Sequence, residues 1–102
     1  MKHSNIVRFM PKDGEFENAI ERLSKPLDVD GLLQNIIVNV DKRTCYAIGI
    51  WESEDHLIKA RPKMIDLLNS VRDMLEVISD DLGVTDPASG PIIFEKANTQ
   101  SE

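Results

Sequence analysis

The chain contains very little cysteine. Cys45 is the single one among 102 residues, and this excludes an internal disulfide. A lone thiol is typical of proteins in a reducing compartment, so we expect a cytoplasmic location. Long apolar runs are missing as well. No stretch is long enough to span a bilayer, and residues 1–5 lead into a strand-like run without a signal-peptide core. We therefore expect no membrane partner.

Basic residues are also in short supply. The chain has 12 Lys and Arg residues against 18 Asp and Glu residues, and its formal net charge is -6. Residues 1–71 carry 11 acids and 10 bases, whereas residues 72–102 carry 7 acids and 2 bases. No basic stripe is left over to contact phosphates, so we expect no nucleic-acid partner.

Motifs that identify a reaction are missing too. His3 and His56 have no Cys or carboxylate neighbours at metal-ligand spacing, so the sequence predicts no metal site. Cys45 has no activating neighbour, and we interpret it as a small buried hydrophobe. No nucleophile or phosphate motif stands out, and the residues by themselves therefore name no chemistry.

What the sequence does contain is the composition of one globular domain over residues 1–102, with 41% hydrophobic and 29% charged residues. Short apolar runs bounded by turn residues, with consecutive β-branched residues in the second, predict strands at 6–10, 32–40, 44–51 and 91–95. Helical periodicity predicts one helix that ends before Pro26 and a second over 53–82. Pro62 either kinks the second helix or starts a new segment, and Gly83 would cap its end.

The order β-α-β-β-α-β predicts an α+β, ferredoxin-like fold, in which a four-stranded antiparallel sheet carries two helices on one face. The strands are apolar on both sides: Val7 and Phe9 alternate with Ile6 and Met10. The face without helices therefore needs a cover. A second copy of the chain is the simplest cover, so we expect a homodimer.

The third strand ends on the single tryptophan, in the run Trp51-Glu52-Ser53-Glu54-Asp55. Ser53 is suited to cap the second helix, and the acids suit its first turn. With Ala60 further along and the element order, this junction resembles the dimeric α+β barrel superfamily, especially the antibiotic biosynthesis monooxygenase-like group. The resemblance implies a dimeric barrel. Members include cofactor-independent quinone-forming oxygenases, haem-degrading enzymes and muconolactone isomerases.

The haem-degrading branch is similar to this chain at Trp51. It carries an iron-ligating His ten residues later, where this chain has Arg61. A guanidinium has no lone pair for iron. The branch also has an Asn within the first strand, where this chain has Arg8 at the centre and Asn5 before the predicted start. The comparison predicts no haem, and we expect no cofactor.

Several polar residues fall on faces that should be buried. Arg61 interrupts the apolar row between Leu57 and Met64, and it either anchors an acidic ligand or pairs with Glu54 or Asp55. Polar side chains on strand faces include Arg8, Asn35 and Asn39. They either line a ligand cavity or form an interface hydrogen-bond network.

Three further residues complete the candidate site. Trp51 is suited to form a wall of a core or a cavity. Arg61 lies about two helical turns beyond Ser53, so we expect long side chains at Trp51 and Arg61 to border one cavity. His56 and Tyr46 are the candidate proton carriers, although each is also compatible with simple packing or exposure. Two functions follow as hypotheses: a dimer that binds a small organic molecule, or a cofactor-independent monooxygenase or isomerase acting on an aromatic or enolisable acid.

Overall fold

A computed structural model describes residues 1–97. The sheet has the strand order β2-β3-β1-β4, and all neighbouring strands are antiparallel. Two helices pack on one face, which confirms the predicted ferredoxin-like fold. The elements are β1 (His3–Phe9), α1 (Phe16–Leu23), β2 (Leu32–Asn39), β3 (Cys45–Trp51), α2 (Glu54–Val71) and β4 (Thr85–Pro91).

The helix-covered face of the sheet carries two buried clusters. Phe9 of β1 and Cys45 of β3 meet Ala19 of α1 and Val71 of α2 in the first cluster. The second cluster joins Trp51, at the end of β3, to Leu57 and Ala60 of α2. Side chains alternate along a strand, so every second residue of β1 and β3 contributes to this face.

The opposite face of the sheet, which we call the open face, has an apolar central row. Strand register places Ile36, Ile48, Ile6 and Ala88 in one row across all four strands. Ile6 is 41% exposed and Ile36 is 37% exposed, because neither helix packs on this side. The predicted pattern of strands that are apolar on both sides is therefore present in the structure.

Helix α2 begins where the sequence predicted and ends earlier. Ser53 caps it, since Ser53 Oγ accepts a hydrogen bond from the backbone N–H of His56 at 3.2 Å. Pro62 lies inside one continuous helix. The predicted extension to residue 82 is wrong: α2 ends at Val71, one 3-10 turn follows over Arg72–Met74, and Leu75 is extended.

Tertiary hydrogen bonds explain this early end. The backbone N–H of Lys12 donates to the carbonyl of Met74 at 2.8 Å, and that of Glu76 donates to the carbonyl of Met10 at 2.7 Å. The chain after α2 is thereby tied to the segment after β1, and Leu75 is buried in the core. Continuing the helix would break these bonds, so its apolar periodicity does not decide its length.

The predicted position of the last strand, at residues 91–95, is also wrong. β4 spans Thr85–Pro91 and pairs with the whole of β1. It is an edge strand, which is where proline is tolerated. Gly83 caps no helix; it closes a turn with φ +73°, in which its N–H donates to the carbonyl of Ser79 at 2.8 Å.

Candidate functional site

A cavity of about 310 Å³ lies between the sheet and the two helices, and residues of both buried clusters line it. Its walls are mostly aliphatic and aromatic. From the sheet come Val7, Ile37 and Ala47, and from α2 come Met64 and Leu68. A concave, largely apolar space of this size is typical of small-molecule sites.

Five of the residues that line the cavity have polar or charged side-chain groups: Asn5, Asn35, Trp51, Arg61 and Thr85. Arg61 is the charged residue among the described lining. Trp51 and Arg61 thus border one cavity, as the hypothesis about the strand-to-helix junction required. Asn35 lines it as well.

Two of these polar groups, Asn5 and Asn35, follow from strand register. Asn35, Gly49, Asn5 and Ser89 form one row across the sheet on the helix-covered face. The neighbouring row on the same face is apolar: it consists of Ile37, Ala47, Val7 and Pro87. The sheet therefore offers the cavity one polar stripe beside an apolar one.

Asn5 is held within that stripe by the single tryptophan. Trp51 Nε1 donates a hydrogen bond to Asn5 Oδ1 at 2.7 Å, and the two residues come from different strands. Gly49 lies beneath this bond. A Cβ at Gly49 would press on Asn5 Oδ1 and approach Trp51 Nε1 to 2.8 Å. The glycine thus leaves the space in which the bond forms.

The sequence reasoning missed Asn5 as a site residue because it started the first strand at residue 6. β1 begins at His3, so Asn5 lies inside the strand. The expectation that Asn5 lies outside the first strand is therefore wrong. The alternation of Asn5 with Val7 and Phe9 on one face was the signal that could have found it.

Arg61 has no side-chain ion pair or hydrogen bond among residues 1–97. The predicted structural partner Asp55 instead pairs with Lys59, at 3.1 Å. A second space of about 330 Å³ shares Asn5 and Arg61 with the first and extends to Ser89 at the β4 edge. Arg61 and Asn5 therefore stand where the two spaces adjoin.

Arg8 and Tyr46 lie outside the cavity. They are paired neighbours on β1 and β3, and they face the open side of the sheet. Arg8 donates to Asp86 Oδ2 at 3.0 Å, in a partly exposed ion pair. The structure thus does not bring Arg8 or Tyr46 together with Trp51 and Arg61. Successive side chains of a strand point to opposite faces, and Arg8 and Tyr46 occupy the positions that face away from the helices.

Asn39 and His56 are also absent from the described lining. Asn39 stabilises the β2–β3 hairpin end: its Nδ2 donates to the carbonyls of Asp41 at 2.6 Å and Thr44 at 3.2 Å. His56 lies 2.7 Å from Ser53 Oγ through Nδ1, within the cap of α2, and it packs over Gly31.

The described lining residues include no His, Cys, Tyr, Asp or Glu. The candidate proton carriers His56 and Tyr46 are therefore not placed to act on a molecule in the cavity. Cys45 is fully buried, and burial raises the pKa of its thiol, which disfavours the reactive thiolate. Within residues 1–97, no group of three or more His, Cys, Asp or Glu is placed to hold a metal ion.

No protein-family model matches the sequence, and no curated protein matches it. Solved structures match in fold. A candidate antibiotic biosynthesis monooxygenase from Chloroflexus aurantiacus J-10-fl has a TM-score of 0.74 at 12% identity, over 95% of this chain and 98% of its own. A monooxygenase from the ActVA-Orf6 gene of Streptomyces coelicolor, in complex with nanaomycin D, has a TM-score of 0.71 at 14% identity, over 95% and 92%.

A dimeric ferredoxin-like protein from an uncultured marine organism has a TM-score of 0.70 at 12% identity, over 96% of this chain and 93% of its own. At such identities the likeness shows the fold alone. The chain thus has the ferredoxin-like fold of antibiotic biosynthesis monooxygenase-like proteins, and the resemblance drawn from the strand-to-helix junction is confirmed at that level. No helix in the described part of the chain is long and apolar enough to cross a membrane.

Proposed function

We propose that this protein is a single-domain, cytoplasmic homodimer that binds a small organic acid in the cavity between its sheet and its helices. One observation carries the proposal. Arg61 is the charged residue in a mostly apolar cavity lining, and its side chain has no ion pair or hydrogen bond within residues 1–97. A guanidinium in such a place is suited to a carboxylate or enolate oxygen on an apolar body.

The two parts of the cavity would contribute differently to affinity. The apolar walls favour a flat hydrocarbon body, at about 25 cal/mol for each Å² of ligand surface buried. A charge-assisted hydrogen bond from Arg61 would add about 1.5–3 kcal/mol. Trp51 supplies an aromatic wall beside the polar stripe. An aromatic carboxylate combines both requirements.

The open face supports the homodimer. Its central row of Ile36, Ile48, Ile6 and Ala88 would be removed from water if a second open face lay against it. The same patch on both copies is what a two-fold interface uses. A structural neighbour is a dimeric ferredoxin-like protein. Cytoplasmic location rests on the lone Cys45.

The proposal is tested by calorimetric titration with 2-naphthoate. We expect saturable binding by the natural chain, and we expect Arg61→Ala to weaken it by about 1.5–3 kcal/mol, which is tenfold to a hundredfold. Arg61→Lys should recover part of the loss, since an ammonium lacks the planar fork. Arg72→Ala is the matched control: it removes the same charge outside the cavity, where Arg72 contacts Asn69.

If Arg61→Ala and Arg72→Ala change the affinity equally, the guanidinium of Arg61 acts only through net charge and the anchor is wrong. Absence of binding by the natural chain to aromatic acids of different sizes would contradict the proposed function itself.

A cofactor-independent monooxygenase or isomerase acting on an aromatic or enolisable acid is the second candidate function. Arg61 favours it as well, since the same guanidinium would stabilise an enolate formed from the ligand. The proton would have to leave without help from a described lining residue. Oxygen uptake in the presence of an enolisable aromatic acid, lost in Arg61→Ala, would support catalysis. Binding without turnover would support the first proposal.

A further inference from the structure

The cavity contains a second polar anchor, Asn5, whose amide orientation is fixed by a hydrogen bond from Trp51. The indole N–H of Trp51 is a donor only, so the atom of Asn5 that faces it at 2.7 Å must be the amide oxygen. The Asn5 amide is therefore turned one way: Oδ1 is engaged by the indole, and Nδ2 points away from it.

Nδ2 of Asn5 then offers two N–H donors to the space that Asn5 lines. No protein acceptor binds this nitrogen within residues 1–97, and no buried side-chain nitrogen or oxygen there lacks a partner. Nδ2 is consequently accessible, and Asn5 lines both adjoining spaces together with Arg61. Both side chains therefore present hydrogen-bond donors at this junction.

We infer that Gly49, Trp51 and Asn5 form a specificity-determining unit that makes the cavity select ligands with an acceptor oxygen beside their apolar body. Trp51 turns the Asn5 amide, and Gly49 supplies the room for the bond between them. The inference rests on the proposed small-molecule function and goes further: Arg61 selects charge, whereas Asn5 selects an acceptor oxygen whether or not it is charged. Gly49 and Trp51 are positioning residues, and Asn5 is the residue that contacts the ligand.

Two probes separate these roles. 2-Naphthoate offers a charged acceptor, and 2-acetylnaphthalene offers a neutral one on the same ring system. Arg61→Ala should weaken the naphthoate far more than the ketone, because only the naphthoate loses a charge-assisted hydrogen bond. Asn5→Asp keeps an oxygen for the Trp51 indole and replaces the donor nitrogen by an acceptor. It should therefore weaken the ketone by about threefold to tenfold and the naphthoate by about tenfold or more.

Gly49→Ala tests the positioning role. Its Cβ would displace the Asn5 amide, so both probes should bind more weakly. Gly90→Ala is the matched control on the other face, because a Cβ at Gly90 meets nothing within 4 Å. The single tryptophan gives one indole N–H signal in a nitrogen-15 correlation spectrum. That signal should shift in Gly49→Ala and stay in place in Gly90→Ala.

The outcomes distinguish a failure of this inference from a failure of the proposed function. If Asn5→Asp binds 2-acetylnaphthalene as the natural chain does, the inference is overturned, even where Arg61→Ala still weakens the naphthoate and supports the proposed function. If neither probe binds the natural chain, the proposed function fails and the inference fails with it. Should Gly49→Ala not fold, the isosteric Asn5→Asp variant still decides the question.

Discussion

Replacing Ile36 by Asp on the open face should dissociate the proposed homodimer without unfolding the chain. Ile36 is 37% exposed, and its row neighbour is Ile48. It is a cleaner choice than Ile6, which lies on the same strand face as Arg8, a cation that could pair with an introduced carboxylate. A new charge at residue 36 would instead meet an apolar surface of the second copy.

The magnitude follows from the exposed part of the side chain. Full burial of an isoleucine stabilises by about 1.5–3 kcal/mol, so the exposed 37% corresponds to about 0.6–1.1 kcal/mol for each copy. Two copies contribute about 1–2 kcal/mol. Two unpaired carboxylates would add further desolvation costs of at least about 1 kcal/mol each. We therefore expect the dissociation constant of the dimer to rise by about a hundredfold or more.

Sedimentation equilibrium over a range of concentrations measures this change. The natural chain should show about twice its 11.5 kDa mass, and Ile36→Asp should shift toward the monomer mass while its far-ultraviolet circular dichroism is retained. Val77→Asp is the control, since Val77 is 64% exposed and lies outside the sheet. A natural chain that sediments as a monomer would refute the homodimer. A variant as dimeric as the natural chain would place the interface elsewhere.

Two further predictions concern stability. Leu75→Ala should lower the free energy of unfolding in urea by about 2–5 kcal/mol, because Leu75 is 1% exposed. Leu82→Ala should lower it by about 1 kcal/mol or less, because Leu82 is 42% exposed. Similar losses in the two variants would indicate that α2 continues to residue 82, as its periodicity suggested. The Asp41 carboxylate accepts hydrogen bonds from the backbone N–H groups of Arg43 at 2.8 Å and Thr44 at 2.9 Å, and these lower its pKa. Its folded pKa lies below the unfolded one, so the stabilising charge is present above about pH 4 and is lost as the pH falls through the folded pKa. The difference in unfolding free energy between Asp41 and Asp41→Asn proteins should therefore shrink on acidification from pH 7 to pH 3, and a difference independent of pH would refute this account.

The amino-acid sequence by itself determined the class of fold and the strand-to-helix junction beside the candidate site. The short turn between β2 and β3 predicted an antiparallel hairpin. Consecutive apolar residues in the strands predicted a sheet with two apolar faces, because a strand projects successive side chains to opposite sides. Ser53 and the acids after it determined the start of α2, because they interact favourably with the unpaired backbone N–H groups of its first turn. Trp51 and Arg61 were predicted to share a cavity from their spacing alone, and they do line the same cavity.

Only the tertiary structure decided which other residues line the candidate site. Thr85–Pro91 has the composition of a loop, and it is a strand because the ladder with β1 satisfies its backbone. The first strand reaches back to His3 through the same pairing, and this puts Asn5 on the cavity face beside Gly49. Arg8 and Tyr46 face the other way, whereas Asn39 is engaged at the hairpin end. Cross-strand register sets which side chains meet, and register depends on pairing between residues far apart in the chain, which no local pattern records.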